Sequence, residues 1–252
     1  MVQNLETVDE SEAKELERFI RESWVFMKEP APETLRKGIG YFLALKKRVE
    51  ARGYGAVSLI DVDGMKKLLN FPPAMVFMLL DQRLNVCTVP ENDAMGAVTQ
   101  LMVRHATGQI AAYLEFYEFM EDRVLLGVPD FVPKEVVDGP LTVLPAKFGL
   151  LGEGVMNVSK LKTGTVTIAR LTSSGDRYAL HIATGRAVTP RKWEEAGWAQ
   201  PAPQLPGLEI ILDTPVADFT ARVMSQHYIV SYGDSTEVLR SLCSILGVEV
   251  LR

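Results

Sequence analysis

Two glutamates and one histidine are the side chains of this sequence that could bind a metal ion together. Glu91 follows a predicted strand and precedes a predicted helix, and ligands usually bind at this carboxyl edge of an α/β sheet. Glu115 alternates with Tyr113 and Tyr117 on one face of another predicted strand. His227 opens a third predicted strand. Two carboxylates with one imidazole suit Mn²⁺ or Mg²⁺ better than a metal that prefers thiolates.

Each of these three residues also has a purely structural interpretation. The turn from Glu91 to Asp93 is typical of a helix start, where Asn92 or Asp93 accepts a free backbone N–H group. That interpretation explains Asn92 and Asp93 better than it explains Glu91, which precedes the cap. Glu115 would lie on the exposed face of an edge strand, and His227 would make an ordinary hydrogen bond at a strand entrance.

The remaining histidines and cysteines have sufficient structural explanations. His105 comes late in a predicted helix, where a cationic side chain favours the helix dipole, and His181 lies on a predicted hairpin strand. Cys87 and Cys243 have no metal-binding spacing and are expected to be reduced, buried thiols. The sequence contains no phosphate-binding loop, dinucleotide fingerprint, zinc-protease helix or serine-hydrolase elbow.

Composition excludes several classes of partner. The 252 residues include 27 basic and 32 acidic side chains, a formal net charge of −5. A mildly acidic chain without basic blocks argues against a nucleic-acid-binding or anionic-membrane surface. No apolar run reaches the roughly 20 residues that a membrane-spanning helix needs, and the acidic first 15 residues lack the apolar core of a signal peptide. We therefore expect a cytoplasmic globular protein.

The candidate residues depend on two kinds of predicted element. Short apolar strands at residues 56–60 and 85–89, separated by helical segments, favour a mostly parallel sheet. A polar turn is predicted at residues 61–64 and a helix at residues 93–106. Residues 1–110 therefore predict an α/β domain that contains part of a doubly wound parallel sheet.

The rest of the chain, residues 111–252, predicts a mainly β domain. Strands at residues 227–232 and 248–251 are expected near its end, and five more precede them, at residues 110–117, 123–127, 155–161, 165–171 and 177–183. The first two can pair through an acidic turn, and the last three can form a meander through glycine-containing turns. Several strands at short, even spacing indicate an antiparallel, barrel-like domain.

Four segments occur in an order that matches one known family. They are residues 90–99, an acidic turn followed by Gly-Ala-x-Thr, residues 113–119, residues 164–171, and residues 225–234. Through these segments the sequence resembles the L-fucose isomerase and L-arabinose isomerase family of metal-dependent aldose–ketose isomerases, over about residues 35–252.

The resemblance implies a ligand set and a reaction. Glu91, Glu115 and His227 would hold a divalent cation, Mn²⁺ or another such as Mg²⁺ or Co²⁺. Glu91 and Glu115 would also carry the proton between the carbons of an open-chain sugar, through an ene-diol. The resemblance further implies a small sugar as substrate and a homo-oligomeric protein.

The sequence also departs from the family. Glu115 stands where fucose-type members have aspartate, and the chain lacks the leading α/β domain of longer members. The alternative is therefore a non-catalytic sugar-binding or regulatory protein on an isomerase-like scaffold. Trp193 and Trp198 are candidates for sugar contacts, with partly buried packing as their structural interpretation.

Overall fold

The computed structural model describes residues 8–128, 131–147, 152–191 and 206–251, so Trp193 and Trp198 lie outside the described residues. The helices are α1 (Glu10–Ser23), α2 (Pro32–Arg52), a π-helix (Asp61–Leu68), α3 (Ala74–Leu84), α4 (Ala94–Thr107), a 3-10 helix (Lys134–Val136), α5 (Val216–Thr220) and α6 (Thr236–Leu246). The strands are β1 (Trp24–Phe26), β2 (Ala56–Ser58), β3 (Cys87–Val89), β4 (Ala112–Phe119), β5 (Arg123–Gly127), β6 (Leu141–Lys147), β7 (Glu153–Asn157), β8 (Gly164–Ser174), β9 (Arg177–Val188), β10 (Gly207–Leu212), β11 (His227–Tyr232) and β12 (Glu249–Leu251).

A closed barrel of six antiparallel strands forms the carboxyl-terminal half. The strand order is β10-β5-β4-β11-β8-β9, and pairing of β9 with β10 closes the barrel. Alternate residues point inward, as Val166 and Ile168 do on β8 and Tyr228 and Val230 on β11, and they form one buried apolar cluster. The predicted antiparallel barrel is therefore confirmed, with β12 added in parallel outside β9.

The amino-terminal half is mixed, with little sheet. β2 and β3 pair in parallel over three residues each, and the π-helix and α3 connect them. Residues 74–81 of α3 are all buried, because the helix packs inside a cluster shared with α1 and α2. At the end of α3, Asn85 takes the left-handed conformation with φ 52°, which asparagine tolerates better than most residues.

The predicted three-strand meander is wrong in its first strand. The strand expected at residues 155–161 does not pair with β8; instead, β7 pairs with β6, and β6 pairs in parallel with β1. Burial explains the difference, since Val143 and Val155 pack among the amino-terminal helices rather than in the barrel. The domain boundary expected between residues 110 and 111 stays a prediction.

The π-helix corrects another expectation. Residues 61–64, predicted as a turn, begin a π-helix that continues to Leu68. Its backbone N–H at Met65 donates to the carbonyl of Ile60 at 2.9 Å, a spacing of five residues. The same spacing brings Lys66 Nζ to 3.0 Å from Asp61 Oδ2 in a buried ion pair. The side-chain pair and the backbone pattern therefore stabilise the same local geometry.

α2 is the longest described helix, with 21 residues from Pro32 to Arg52, and a left-handed Gly53 caps its end. Lysine, arginine and glutamate recur along it. In the described ranges, no helix combines the length and apolar character needed to cross a membrane.

α4 joins the two halves. Met102 and Val103 of α4 pack with Ala169 and Ile229 on the outer face of the barrel. The hydroxyl of Thr99 accepts a 2.9 Å hydrogen bond from the backbone N–H of Leu171 on β8. These contacts fix the beginning of α4 beside strands β4, β8 and β11, where the candidate residues lie.

Asp81 of α3 is a buried carboxylate that binds the segment after the barrel strand β5. Its Oδ2 accepts a 2.8 Å hydrogen bond from the backbone N–H of Lys134. Burial raises the pKa of Asp81 to about 6; the nearby Glu135 adds to that effect, while the bond from Lys134 and the charge of Arg104 oppose it. The folded protein therefore holds this proton more tightly than the unfolded chain.

We expect Asp81 to make the protein less stable as the pH rises from about 4 to about 6, by about 3 kcal/mol for a shift of this size. Asp81→Asn keeps an acceptor for the backbone but does not ionise. The free energy of unfolding of the wild type minus that of the variant, measured in urea at pH 4 and pH 7, should therefore fall by about that amount. Asp63→Asn, at an exposed carboxylate, is the control. A difference that stays constant with pH would contradict the assignment.

Candidate functional site

Glu91 lies in a strained turn at the carboxyl end of β3. Glu91 and Asn92 both have positive φ angles, 65° and 56°, which are uncommon in residues with a side chain. The Asn92 N–H donates to the carbonyl of Leu59 at 2.9 Å, which ties this turn to the end of β2. Such strain persists only where surrounding contacts hold it, and it clusters at functional sites. The turn leaves the Glu91 side chain 49% exposed.

Glu115 and His227 are direct partners on adjacent antiparallel strands. The register of β4 and β11 pairs His227 with Glu115, so their side chains share one face. Because β4 runs between β5 and β11, the interpretation of β4 as an edge strand was wrong. Gln226 donates from Nε2 to Oε2 of Glu115 at 2.6 Å, which orients this half-buried carboxylate.

The fold brings Glu91, Glu115 and His227 together. His227 Nε2 lies 3.6 Å from Oε2 of Glu91 and 3.6 Å from Oε2 of Glu115. Both separations are longer than a hydrogen bond. Neighbouring ligands of an octahedral ion with bonds of about 2.1 Å lie about 3 Å apart, so the donors would close by roughly half an ångström around an ion. Consistent with that gap, no group of three or more His, Cys, Asp or Glu in the described parts of the chain is already arranged to hold a metal.

Asp93 does more than cap a helix. Its Oδ1 accepts from the backbone N–H of Gly96 at 2.8 Å, which is the predicted capping bond. In addition, Tyr113 donates its hydroxyl to Oδ2 at 2.9 Å, and Arg170 donates to both oxygens, with 2.9 Å from Nη2 to Oδ1. Burial opposes ionisation of Asp93, but hydrogen bonds from Arg170 and Gly96 outweigh it, so the pKa lies below its usual value. Asp93 is therefore an anion at neutral pH.

Gly96 leaves the space that this network needs. A Cβ atom at this position would lie 2.6 Å from Oδ2 of Asp93 and 2.8 Å from Cε2 of Tyr113. Neither neighbour can move without breaking the bond between them. The glycine in the predicted helix start therefore has a packing reason that involves the barrel strand β4.

Asp61 and Lys66 form a second buried ion pair near Glu91. Their side chains are 4% and 9% exposed. Burial raises the pKa of Glu91 most, and the charge of Asp61 adds to the increase. The charges of His227 and Lys66 act in the opposite direction without cancelling it. Asp61 therefore belongs to the electrostatic surroundings of Glu91.

The four carboxylates around the turn after β3 fall into two groups by their partners. Asp61 is paired with Lys66 and Asp93 with Arg170. Glu91 and Glu115 instead approach the single imidazole of His227. Two carboxylates that converge on one side chain form a site that favours a cation over an anion.

Sequence patterns identified some of these residues and missed others. The alternation in β4 placed Tyr113 on the face of Glu115, where the structure has it. Lys66, Arg170 and Gln226 were not singled out. A signal existed for Arg170, because a charged side chain interrupts an otherwise apolar or small-residue strand at residues 166–171. No local signal distinguished Lys66 from the neighbouring Lys67.

Comparison with known proteins adds no family assignment. No protein-family model matches the chain, and no curated protein matches it either.

We expect the Asp61–Lys66 pair to behave as a buried unit. Lys66→Met alone would leave a buried carboxylate without its cation and should cost about 3–5 kcal/mol, whereas Asp61→Leu with Lys66→Met should cost far less. Urea unfolding measures both free energies.

The neighbouring pair Asp63–Lys67 provides the matched control. Lys67 Nζ lies 2.5 Å from Asp63 Oδ1, but the side chains of Asp63 and Lys67 are 75% and 61% exposed. Lys67→Met should therefore change the free energy of unfolding by at most about 0.5 kcal/mol. Equal losses for Lys66→Met and Lys67→Met would show that burial does not govern the Asp61–Lys66 pair.

Proposed function

We propose that this protein is a metal-dependent aldose–ketose isomerase of the fucose and arabinose type, which acts on a small sugar through an ene-diol. The observation that carries the proposal is the convergence of Glu91, Glu115 and His227. They come from three separate elements, and both carboxylates lie 3.6 Å from one imidazole nitrogen. These are the residues that the family resemblance implies as ligands, chosen from the sequence alone.

The donor set fits a divalent cation. Glu91, Glu115 and His227 would hold it, and oxygen donors with one imidazole suit Mn²⁺, with Mg²⁺ or Co²⁺ as substitutes. Two carboxylates that converge on one point favour a doubly charged ion over a neutral ligand. When bound, such an ion stabilises negative charge that develops on adjacent sugar oxygens.

Two carboxylates on one site suit the proton transfers of an aldose–ketose conversion. One removes the proton from C2 of the open-chain aldose while the other protonates the carbonyl oxygen at C1, which gives the ene-diol. Return of a proton to C1 and loss of the proton on the C2 oxygen then give the ketose. Burial raises the pKa of Glu91. Its pKa is therefore closer than that of an ordinary glutamate to neutral pH, where a proton carrier works best. Gln226 holds Glu115 in place by its 2.6 Å bond.

The fold supports a site at the edge of a sheet. We propose that β2, α3 and β3 are part of a doubly wound parallel sheet, with residues 1–110 as an α/β domain and residues 111–252 as the barrel domain. Asp61 and Glu91 follow the two paired strands, and ligands bind at such carboxyl ends. A homo-oligomeric, cytoplasmic protein belongs to the same proposal.

One observation favours a second candidate, a non-catalytic sugar-binding or regulatory protein. The donors are about half an ångström wider apart than an octahedral ion requires. A protein that binds the sugar without a cation would keep that spacing, and a sugar would then raise its melting temperature without any product.

We expect purified protein with Mn²⁺ to convert at least one member of an aldose panel to its ketose. Glu91→Gln should lower kcat by about 10²-fold or more, since it removes both a ligand and a proton carrier, and should leave circular dichroism unchanged. Glu118→Gln is the matched control, because this glutamate lies on the same strand as Glu115 but is exposed.

Full activity in Glu91→Gln would overturn the site. Thermal stabilisation by a sugar, with no product from any aldose and no binding of Mn²⁺ by calorimetry, would favour the second candidate.

A further inference from the structure

Tyr113 lies against His227 in a defined geometry. The two rings are stacked, with centroids 4.6 Å apart and planes at 10°. The strand register explains the contact, because Tyr113 pairs with Ile229 and Glu115 with His227. Tyr113 is therefore the diagonal neighbour of His227 on the same face, within reach of an aromatic side chain.

The far end of Tyr113 is anchored as firmly as its ring. Its hydroxyl donates to Oδ2 of Asp93 at 2.9 Å, and Arg170 and the N–H of Gly96 hold that carboxylate. Burial, aided by the charge of Asp93, raises the pKa of Tyr113 above its usual range, so the hydroxyl remains a donor at neutral pH. Tyr113 is 2% exposed and has little freedom to turn.

Arg170 fixes the backbone at the same point. Its Nη1 donates to the carbonyl oxygen of His227 at 3.3 Å while Nη2 binds Asp93. The main chain of His227 and the ring stacked on it are therefore both tied to Asp93, one through Arg170 and the other through Tyr113.

We propose that Tyr113 is a positioning residue, which sets the plane of the His227 imidazole so that Nε2 faces Glu91 and Glu115. The inference rests on the proposed function in one respect, that the ligand held there is a divalent cation. Neighbours that orient a ligating histidine typically contribute 10–100-fold to metal affinity.

Tyr228 offers a matched control for a buried tyrosine hydroxyl. It is fully buried, and its hydroxyl lies 2.7 Å from Nδ1 of His181 inside the barrel, within the apolar cluster. Tyr228→Phe and Tyr113→Phe each remove one buried hydroxyl, and we expect similar losses of stability from the two. They differ in what the hydroxyl binds: that of Tyr113 binds Asp93, whereas that of Tyr228 binds His181 inside the barrel.

Mn²⁺ affinity, measured by calorimetry on the full chain, shows whether Tyr113 positions His227 or only stabilises the fold. We expect Tyr113→Leu, which removes both the stack and the bond, to weaken Mn²⁺ binding about 10–100-fold. Tyr113→Phe should weaken it less, and Tyr228→Phe should leave it unchanged. If all three variants bind Mn²⁺ like the wild type, or if the loss follows only the melting temperature, Tyr113 is merely structural and the inference is wrong.

Proton NMR of the metal-free protein tests the same geometry without any ligand. The chain has only three histidines. The ring resonances of His227 can therefore be assigned by comparison with those of His105 and His181, without reference to Tyr113. A tyrosine stacked on the imidazole shifts the His227 ring protons upfield, and Tyr113→Leu should abolish that shift while the other two histidines keep theirs. Unchanged His227 resonances would overturn the stack and the inference with it. Failure of the wild type to bind Mn²⁺ would instead refute the proposed function, and this spectrum would still decide whether Tyr113 orients the ring.

Discussion

The carboxylate of Asp93 accepts hydrogen bonds from the first turn of α4, from Tyr113 on β4 and from Arg170 on β8. Glu91 is only two residues before it, in a turn whose backbone is strained. Every approach between Glu91 and the barrel residues therefore depends on where Asp93 is held. Because Asp93 and Arg170 are both largely buried, loss of either would leave the other charge without compensation, at a cost of about 3–5 kcal/mol.

This constraint explains how Glu91, Glu115 and His227 are brought together from two kinds of structure. The barrel fixes Glu115 opposite His227 through strand register alone, which is a rigid relation. The turn after β3 brings Glu91 from the helical half, where short strands give little rigidity of their own. The Asp93 network, together with the hydrogen bond that the Leu171 N–H donates to Thr99, provides the rigidity that the amino-terminal sheet lacks.

Local sequence patterns predicted the parts of this structure that local physics determines. The start of α4 at Asp93 follows from capping, and the alternation that placed Tyr113 beside Glu115 follows from period-2 spacing. The strand that opens at His227 was also predicted. The partner of β7 could not be found in this way, since periodicity identifies a strand but not the sheet that it joins. The π-helix was missed because it accompanies a buried ion pair, and burial of Asp61 and Lys66 depends on the rest of the fold. Arg170 lies 77 residues from Asp93, so only the tertiary structure reveals the pair.

Anomalous diffraction at the manganese absorption edge, from crystals soaked in Mn²⁺, shows directly whether Glu91, Glu115 and His227 hold the ion. We expect a peak bounded by Glu91, Glu115 and His227, with the carboxylate oxygens and Nε2 each about 2.0–2.3 Å from it. A peak elsewhere, with His227 Nε2 still 3.6 Å from each of the two carboxylates, or no peak at saturating Mn²⁺, would contradict this assignment.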